Sequence, residues 1–207
     1  MAKKGLTKDR IIHTALAQIE EHGLPAFSLR SLASALEIQV SSLYNHIQGQ
    51  KELLAQVGLR AVHMLAEQEE QAVAGRRRDE ALFALADAYR RFAREHTELY
   101  HIIMGVHTLE IPLLESAAEQ IAKPILHVLA DYGIAGSRQI HYQRLLRSVM
   151  HGFFAHETSG GFTASAVDRE ESYHFSIACI AAQLNAEPNK SAESSRNKQS
   201  ISNHNNN

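Results

Sequence analysis

Five polar side chains, Gln39, Ser41, Ser42, Asn45 and His46, share one face of a short segment. Its opposite face carries Val40, Leu43, Tyr44 and Ile47. These polar groups donate and accept hydrogen bonds. A small helix held by its apolar back and showing such groups in front suits the reading of base edges in a major groove. A helix of roughly two turns is too short to stand alone in water, so a neighbour must hold it. The preceding stretch supplies one. Leu29, Leu32, Ala33 and Leu36 follow the i, i+3, i+4, i+7 spacing of one buried helix face. Ser28 stands just before them as a cap, and Glu37-Ile38-Gln39 forms the tight turn between the two helices. The spacing alone fits equally well a helical hairpin inside any all-α core.

The rest of the chain must position this pair. Over 207 residues, glycine and proline are sparse and no strand-like alternation is sustained, which predicts an all-α fold. A first helix is expected over 7–22, with Thr7 as cap, Ile12, Ala15, Leu16 and Ile19 inward, and Gly23 ending it. Phe27 is expected to plug the small core. A fourth helix is predicted from Lys51 to Ala72, with Leu54, Val57, Gly58, Ala61 and Leu65 as its stripe. Gly75-Arg76-Arg77-Arg78 marks a boundary, read as a solvated loop. Asp79 is expected to cap a helix reaching His96, with Leu82, Leu85, Ala86, Tyr89, Phe92 and Ala93 inward.

A short helix at 98–104, a loop from Gly105 to Glu110 and a helix from Ile111 to Tyr132 follow. That helix has Leu114, Ala118, Ile121, Ile125 and Leu129 inward, and Pro124 should kink it. Ser137 to Thr158 is predicted as one long helix with Leu145, Val149, Gly152, Phe153 and His156 on a face. Residues 164–184 form the last helix, striped by Tyr173, Ile177, Ile180, Ala181 and Leu184. From Asn185 the chain is polar and low in complexity, which predicts a disordered tail.

Bulk charge is nearly neutral and argues neither for nor against nucleic acid. Lys3, Lys4, Lys8 and Arg10 nevertheless cluster at the N-terminus, where a basic arm could touch phosphates. The lone Cys179 lies in an apolar run and is expected to be a small buried hydrophobe. Without a signal peptide or a long apolar run, a soluble cytoplasmic protein and no membrane contact are expected. Histidines are numerous, but no metal-binding motif or spacing organises them, so no metal or cofactor is expected. No phosphate loop or nucleophile elbow suggests an enzyme.

The ordered motifs carry a resemblance. Phe27-Ser28-Leu29-Arg30-x-Leu32-Ala33, Leu36-x-Ile38, Leu43-Tyr44-x-His46-Ile47 and Lys51-Glu52-Leu53-Leu54 resemble the N-terminal DNA-binding domain of TetR/AcrR transcriptional regulators. Two positions depart from the pattern. Glu37 replaces a common glycine, and a non-glycine residue at positive φ is uncommon. Gln39 replaces the usual Ser or Thr cap. His151-Gly152-Phe153 with Ser159-Gly160-Gly161-Phe162 resembles the family's WHG-type regulatory domain, with Met150 in place of the tryptophan.

The resemblance implies a three-helix helix-turn-helix domain over 1–54, then a larger helical ligand-binding and dimerisation domain over 55–184, then the tail over 185–207. It implies a homodimeric regulator, a repressor, on a near-palindromic site in double-stranded DNA. Gln39, Ser41, Ser42, Asn45 and His46 would read bases or nearby phosphates. Ser28, Arg30, Tyr44 and Lys51 would position the backbone. It also implies an effector cavity for a small molecule, with Tyr89, Phe92, Ile103, Met104, Leu126, Leu146, Met150 and Phe153 as candidate lining. The last two long helices would pair with their twins. The reading kept beside this one is a dimeric helical scaffold without DNA binding.

Overall fold

The computed structural model describes residues 5–105, 113–164 and 166–187. Among these residues every regular element is helical. The α-helices are α1 (Lys8–His22), α2 (Leu29–Ala35), α3 (Val40–Leu43), α4 (Gln50–Val73), α5 (Arg78–Glu95), α6 (Thr97–Gly105), α7 (Leu113–Asp131), α8 (Gly136–Thr158) and α9 (Arg169–Ala186). A short 3-10 turn, Leu24–Ala26, links α1 to α2. Lys3, Lys4, most of the expected 105–110 loop, the side chains of Leu114 and Ala118, and the tail beyond Glu187 lie outside the described residues.

The chain forms two compact units. One holds the described residues of Met1–Gln68 and Arg91–Ile121, the other those of Glu69–Arg90 and Ala122–Asn207. In the first, Thr7 caps α1 by accepting from the Arg10 amide at 3.2 Å. Gly23, at φ 79°, closes it through an N–H donated to the Ile19 carbonyl at 2.9 Å. The inward residues are Ile11, Ala15, Leu16 and Ile19. Ile12, expected inside, is only half buried, because the core-facing line runs i, i+4, i+8 from Ile11. On α4, Leu53 is buried in place of the expected Leu54, again one position along the helix. Helix α6 joins this unit because Glu98 accepts from the Leu24 amide at 3.2 Å and His96 pairs with Glu20.

In the second unit Asp79 does not cap α5. It sits inside the first turn, where its carboxylate accepts from the Tyr132 hydroxyl at 2.7 Å and from Asn185 Nδ2 at 2.8 Å. The neighbouring arginines are tied into the fold. Arg77 pairs with Asp131 at 2.9 Å, while Arg78 donates to Asn185 at 2.6 Å and stacks 4.8 Å over Tyr132. Asn185 therefore belongs to the fold and not to a tail. Glu187 does as well, accepting from Tyr142 at 2.7 Å and pairing with Arg138 at 2.8 Å.

The predicted face of α8 is also shifted. Tyr142, Leu146, Met150 and Phe154 fill the core, and Leu145 is 46% exposed. His156 is exposed, and Val149, Gly152 and Phe153 are half buried. On α9 the stripe Tyr173, Ile177, Ile180, Ala181 and Leu184 closes the subunit's own core, so it is not free to meet a second copy. Cys179, expected inside, is exposed on the opposite face of that helix. Asp168 caps α9, accepting from the Glu170 and Glu171 amides at 2.6 and 3.2 Å.

Candidate functional site

Helix α2 is locked at both ends. Ser28 Oγ accepts from the Ser31 amide at 3.1 Å, and Ser31 Oγ accepts from the Ser28 amide at 3.2 Å. At the far end the Glu37 amide donates to the Ser34 carbonyl and the Ile38 amide to the Ala33 carbonyl, both at 3.0 Å. This is a Schellman closure, and it places Glu37 at φ 57°. The left-handed turn thus forms without its usual glycine, at a steric cost of about 1 kcal/mol. Glu37→Gly should therefore raise stability, by up to about 1 kcal/mol, in a urea melt. Equal or lower stability would show that the turn carries no strain.

Helix α3 has regular geometry only over Val40–Leu43 and is shorter than the expected two turns. Single-turn bonds continue it, with the His46 and Ile47 amides donating to the Leu43 carbonyl at 2.8 and 3.0 Å. Leu43 and Ile47 are buried and anchor the segment. Tyr44, placed on the apolar face by its spacing, is 57% exposed and stands with the polar residues. The core takes Leu43 and Ile47, and the neighbouring position is left facing out.

Arg30, Gln39, Ser41, Asn45 and Lys51 are exposed, and Ser28, Ser42 and His46 are half buried. The Gln39 side chain makes no capping bond. Within the expected basic arm, Lys8 is held by Glu52 at 2.7 Å, which offsets its charge locally.

The second unit contains two charged residues that the sequence reading did not single out. Arg90 is 2% exposed. Its Nε and Nη2 donate to Glu157 at 3.2 and 3.1 Å, and Nη1 lies 2.8 Å from Glu170. The guanidinium also stacks over Tyr173 and Phe153, at 4.5 and 5.2 Å from their ring centres. Glu69 is fully buried, and neither carboxyl oxygen has a hydrogen-bond partner. Both residues had a visible signal. Glu69 continues the apolar line Leu65–Val73 and Arg90 the line Ala86–Ala93, each a charge on a buried face.

Burial holds the Glu69 carboxyl well above the usual carboxylate range, and attraction from Arg147 only partly opposes it. A folded-state pKa above the unfolded one means stability is lost as pH rises from the unfolded value through the folded one. Glu69→Gln removes that loss. Its stability advantage over the parent should grow as pH rises above the ordinary carboxylate range, in denaturant melts at a series of pH values. A constant difference across that series would contradict the burial argument.

Among the candidate ligand contacts, Tyr89, Phe92, Ile103, Leu146 and Met150 are buried, and Met104, Leu126 and Phe153 are half buried. Phe92, Ile103 and Met104 fall in the first unit and the other five in the second. One group of metal-ligand types, Asp87, Glu170 and His174, brings its atoms within 4.8 Å of one another. It is satisfied internally, with His174 bonded to Asp87 at 2.8 Å and Glu170 bonded to Arg90. No helix of the described residues is long and apolar enough to cross a membrane.

An all-α chain with a short, outward-facing polar segment held by a capped partner helix belongs to the helix-turn-helix class. The comparisons with known proteins agree. The family model of the tetracyclin repressor-like C-terminal domain matches residues 82–180. The HTH-type transcriptional regulator YobS of Bacillus subtilis is 32% identical over 151 residues, covering 72% of this chain and 78% of that one. The HTH-type transcriptional regulator Rv0681 of Mycobacterium tuberculosis is 28% identical over 156 residues, covering 75% and 72%. The chain belongs to the TetR family of transcriptional regulators. Its fold is shared by ActR of Streptomyces coelicolor, solved in complex with (S)-DNPA. That likeness has a TM-score of 0.64 at 21% identity and covers 88% of this chain and 98% of that one.

Proposed function

We propose that this TetR-family regulator is a ligand-responsive repressor that binds a near-palindromic operator as a homodimer. The observation that carries the reading is the row Gln39, Ser41, Tyr44 and Asn45, exposed in front of buried Leu43 and Ile47. Residues 1–54 form the reading domain and 55–187 the regulatory and dimerisation domain, its end extended by the bonds of Asn185 and Glu187. Two copies of α3 enter successive major grooves about one helical turn apart. Gln39, Ser41, Ser42, Asn45 and His46 meet base edges or nearby phosphates. Ser28, Arg30, Tyr44 and Lys51 fix the register on the backbone. Ser28 does so from within its cap, where its hydroxyl already accepts from Ser31.

Pairing through α8 and α9 is supported by what those helices leave outside. Ile140 and Leu145 on α8 and Phe175 on α9 are exposed, Phe175 at 70%. A methyl group added at Gly152 would meet nothing in its own subunit, so a close helix approach there remains open. Phe175→Glu should turn the dimer into a monomer at micromolar concentration in sedimentation, with its helix content unchanged. Loss of one large aromatic from an interface centre costs about 2 kcal/mol or more. A variant that stays dimeric would place the interface elsewhere.

The complex of ActR with (S)-DNPA supports a small-molecule effector here; Tyr89, Leu126, Leu146, Met150 and Phe153 are its candidate contacts in the second unit, and Phe92, Ile103 and Met104 those in the first. The effector binds a conformer whose two reading helices no longer match the groove spacing, and so shifts the dimer off its operator. Selection from a random duplex library tests the whole reading. The expected result is a near-palindrome whose binding falls steeply with salt. A folded dimer that enriches no sequence at any salt, with or without metabolite extract, would favour the scaffold reading.

A further inference from the structure

We infer that Glu69 is the polar anchor of the effector site and receives the protonated nitrogen of a hydrophobic amine. The inference rests on the regulator reading for the word effector, and on the geometry of the second unit for the rest.

Glu69 is 0% exposed, and both of its carboxyl oxygens lack a hydrogen-bond partner. Buried carboxyls are normally satisfied, because a polar group taken out of water without a partner loses its hydration and gains nothing in return. The groups that face it do not satisfy it. Arg147, on α8, attracts the carboxylate through space without bonding to it. Tyr173, on α9, has a single hydroxyl proton, and donates it to the Ala86 carbonyl at 2.7 Å.

Leu146, Met150 and Ile177, all fully buried, give the interior of this unit apolar surface. The contrast with Arg90 is informative. There the same unit buries a charge and surrounds it with two carboxylates and two aromatic rings. At Glu69 it buries a charge-bearing group and leaves the matching donor to come from outside the chain. A local rule broken without compensation marks a functional position. The donor that fits a carboxyl in apolar surroundings is a cation on a hydrocarbon body.

The test uses the full chain and two matched pairs of probes, hexylamine with 1-hexanol and 2-phenylethylamine with 2-phenylethanol. Thermal melts should show a larger rise in Tm with each amine than with its alcohol. In Glu69→Gln the preference should vanish. Calorimetry should show amine affinity weakened by about tenfold or more, as expected for a lost charge-assisted bond. Glu69→Leu gives a second readout, because it removes the polar group and should likewise treat amines and alcohols alike.

Equal effects of amines and alcohols on the parent protein, no effect of either, or an amine preference that survives in both variants would each overturn the inference. Operator binding is read separately on the same preparations. Sequence-selective DNA binding without amine preference sinks only this inference. Amine preference without DNA binding sinks only the regulator reading.

Discussion

Alanine at both Asn45 and His46 is expected to cut affinity for the selected operator by about 2 kcal/mol or more, a loss of at least roughly thirtyfold. Asn45 is exposed and His46 half buried, so neither fills the core that Leu43 and Ile47 anchor. Helix content and melting should stay close to those of the parent. The loss should be selective. Binding to unrelated duplex, which rests on phosphate contacts, should change little, because those contacts carry no sequence information. Lys51→Ala gives the opposite pattern, a weakening that is similar across sequences and a shallower salt dependence. Gel-shift titrations of operator and scrambled duplex at several salt concentrations separate the two. An unchanged operator preference in the double variant would remove both residues from the reading face.

Arg90→Ala is expected to destabilise the protein by about 3–5 kcal/mol, the range for breaking a buried ion pair by removing one partner. Most of that arises from Glu157. Its side chain is 12% exposed, and it accepts from both Nε and Nη2 of the guanidinium. The pairing with Glu170 adds little, since that carboxylate is 51% exposed and screened by water. The two stacked rings, Phe153 and Tyr173, lose a packing partner as well. Arg90→Lys should recover only part of the loss, because an ammonium cannot match the forked geometry or lie flat on a ring. Urea melts measure all three proteins. A loss below about 1 kcal/mol for Arg90→Ala would show that the cluster is solvated in solution.

Residues 28–51 show how much a chain can state about itself. The spacing of Leu32, Ala33, Leu36, Leu43 and Ile47 defined two short helices and the side on which they bury. Ser28 and Gly23 marked ends that the structure closes at those positions. Such signals are local. A cap or a turn is satisfied within a few residues, so composition and order are enough to read it. The resemblance to the TetR family was readable for the same reason, since each of its motifs, over 27–54 and over 151–162, is local.

What the sequence left open depends on residues far apart in the chain. Tyr44 had the spacing of a core residue, yet the core was already filled by Leu43 and Ile47, and it stayed outside. Cys179 sat in an apolar run, but a helix has two faces, and Tyr173, Ile177 and Ile180 took the inner one. The same competition turned Leu145 outward on α8, while Leu146 and Met150 went in. Periodicity gives the angle between two residues on a helix but not which side meets a neighbour; only packing against other helices decides that. Asn185 and Glu187 looked like the start of a tail, and only Asp79, Arg78, Tyr142 and Arg138, distant in the chain, make them part of the fold. The fates of Arg90 and Glu69 were likewise tertiary. Each is a charge on an apolar stripe. Glu157 and Glu170 complete the first, and among the described residues none bonds to the second.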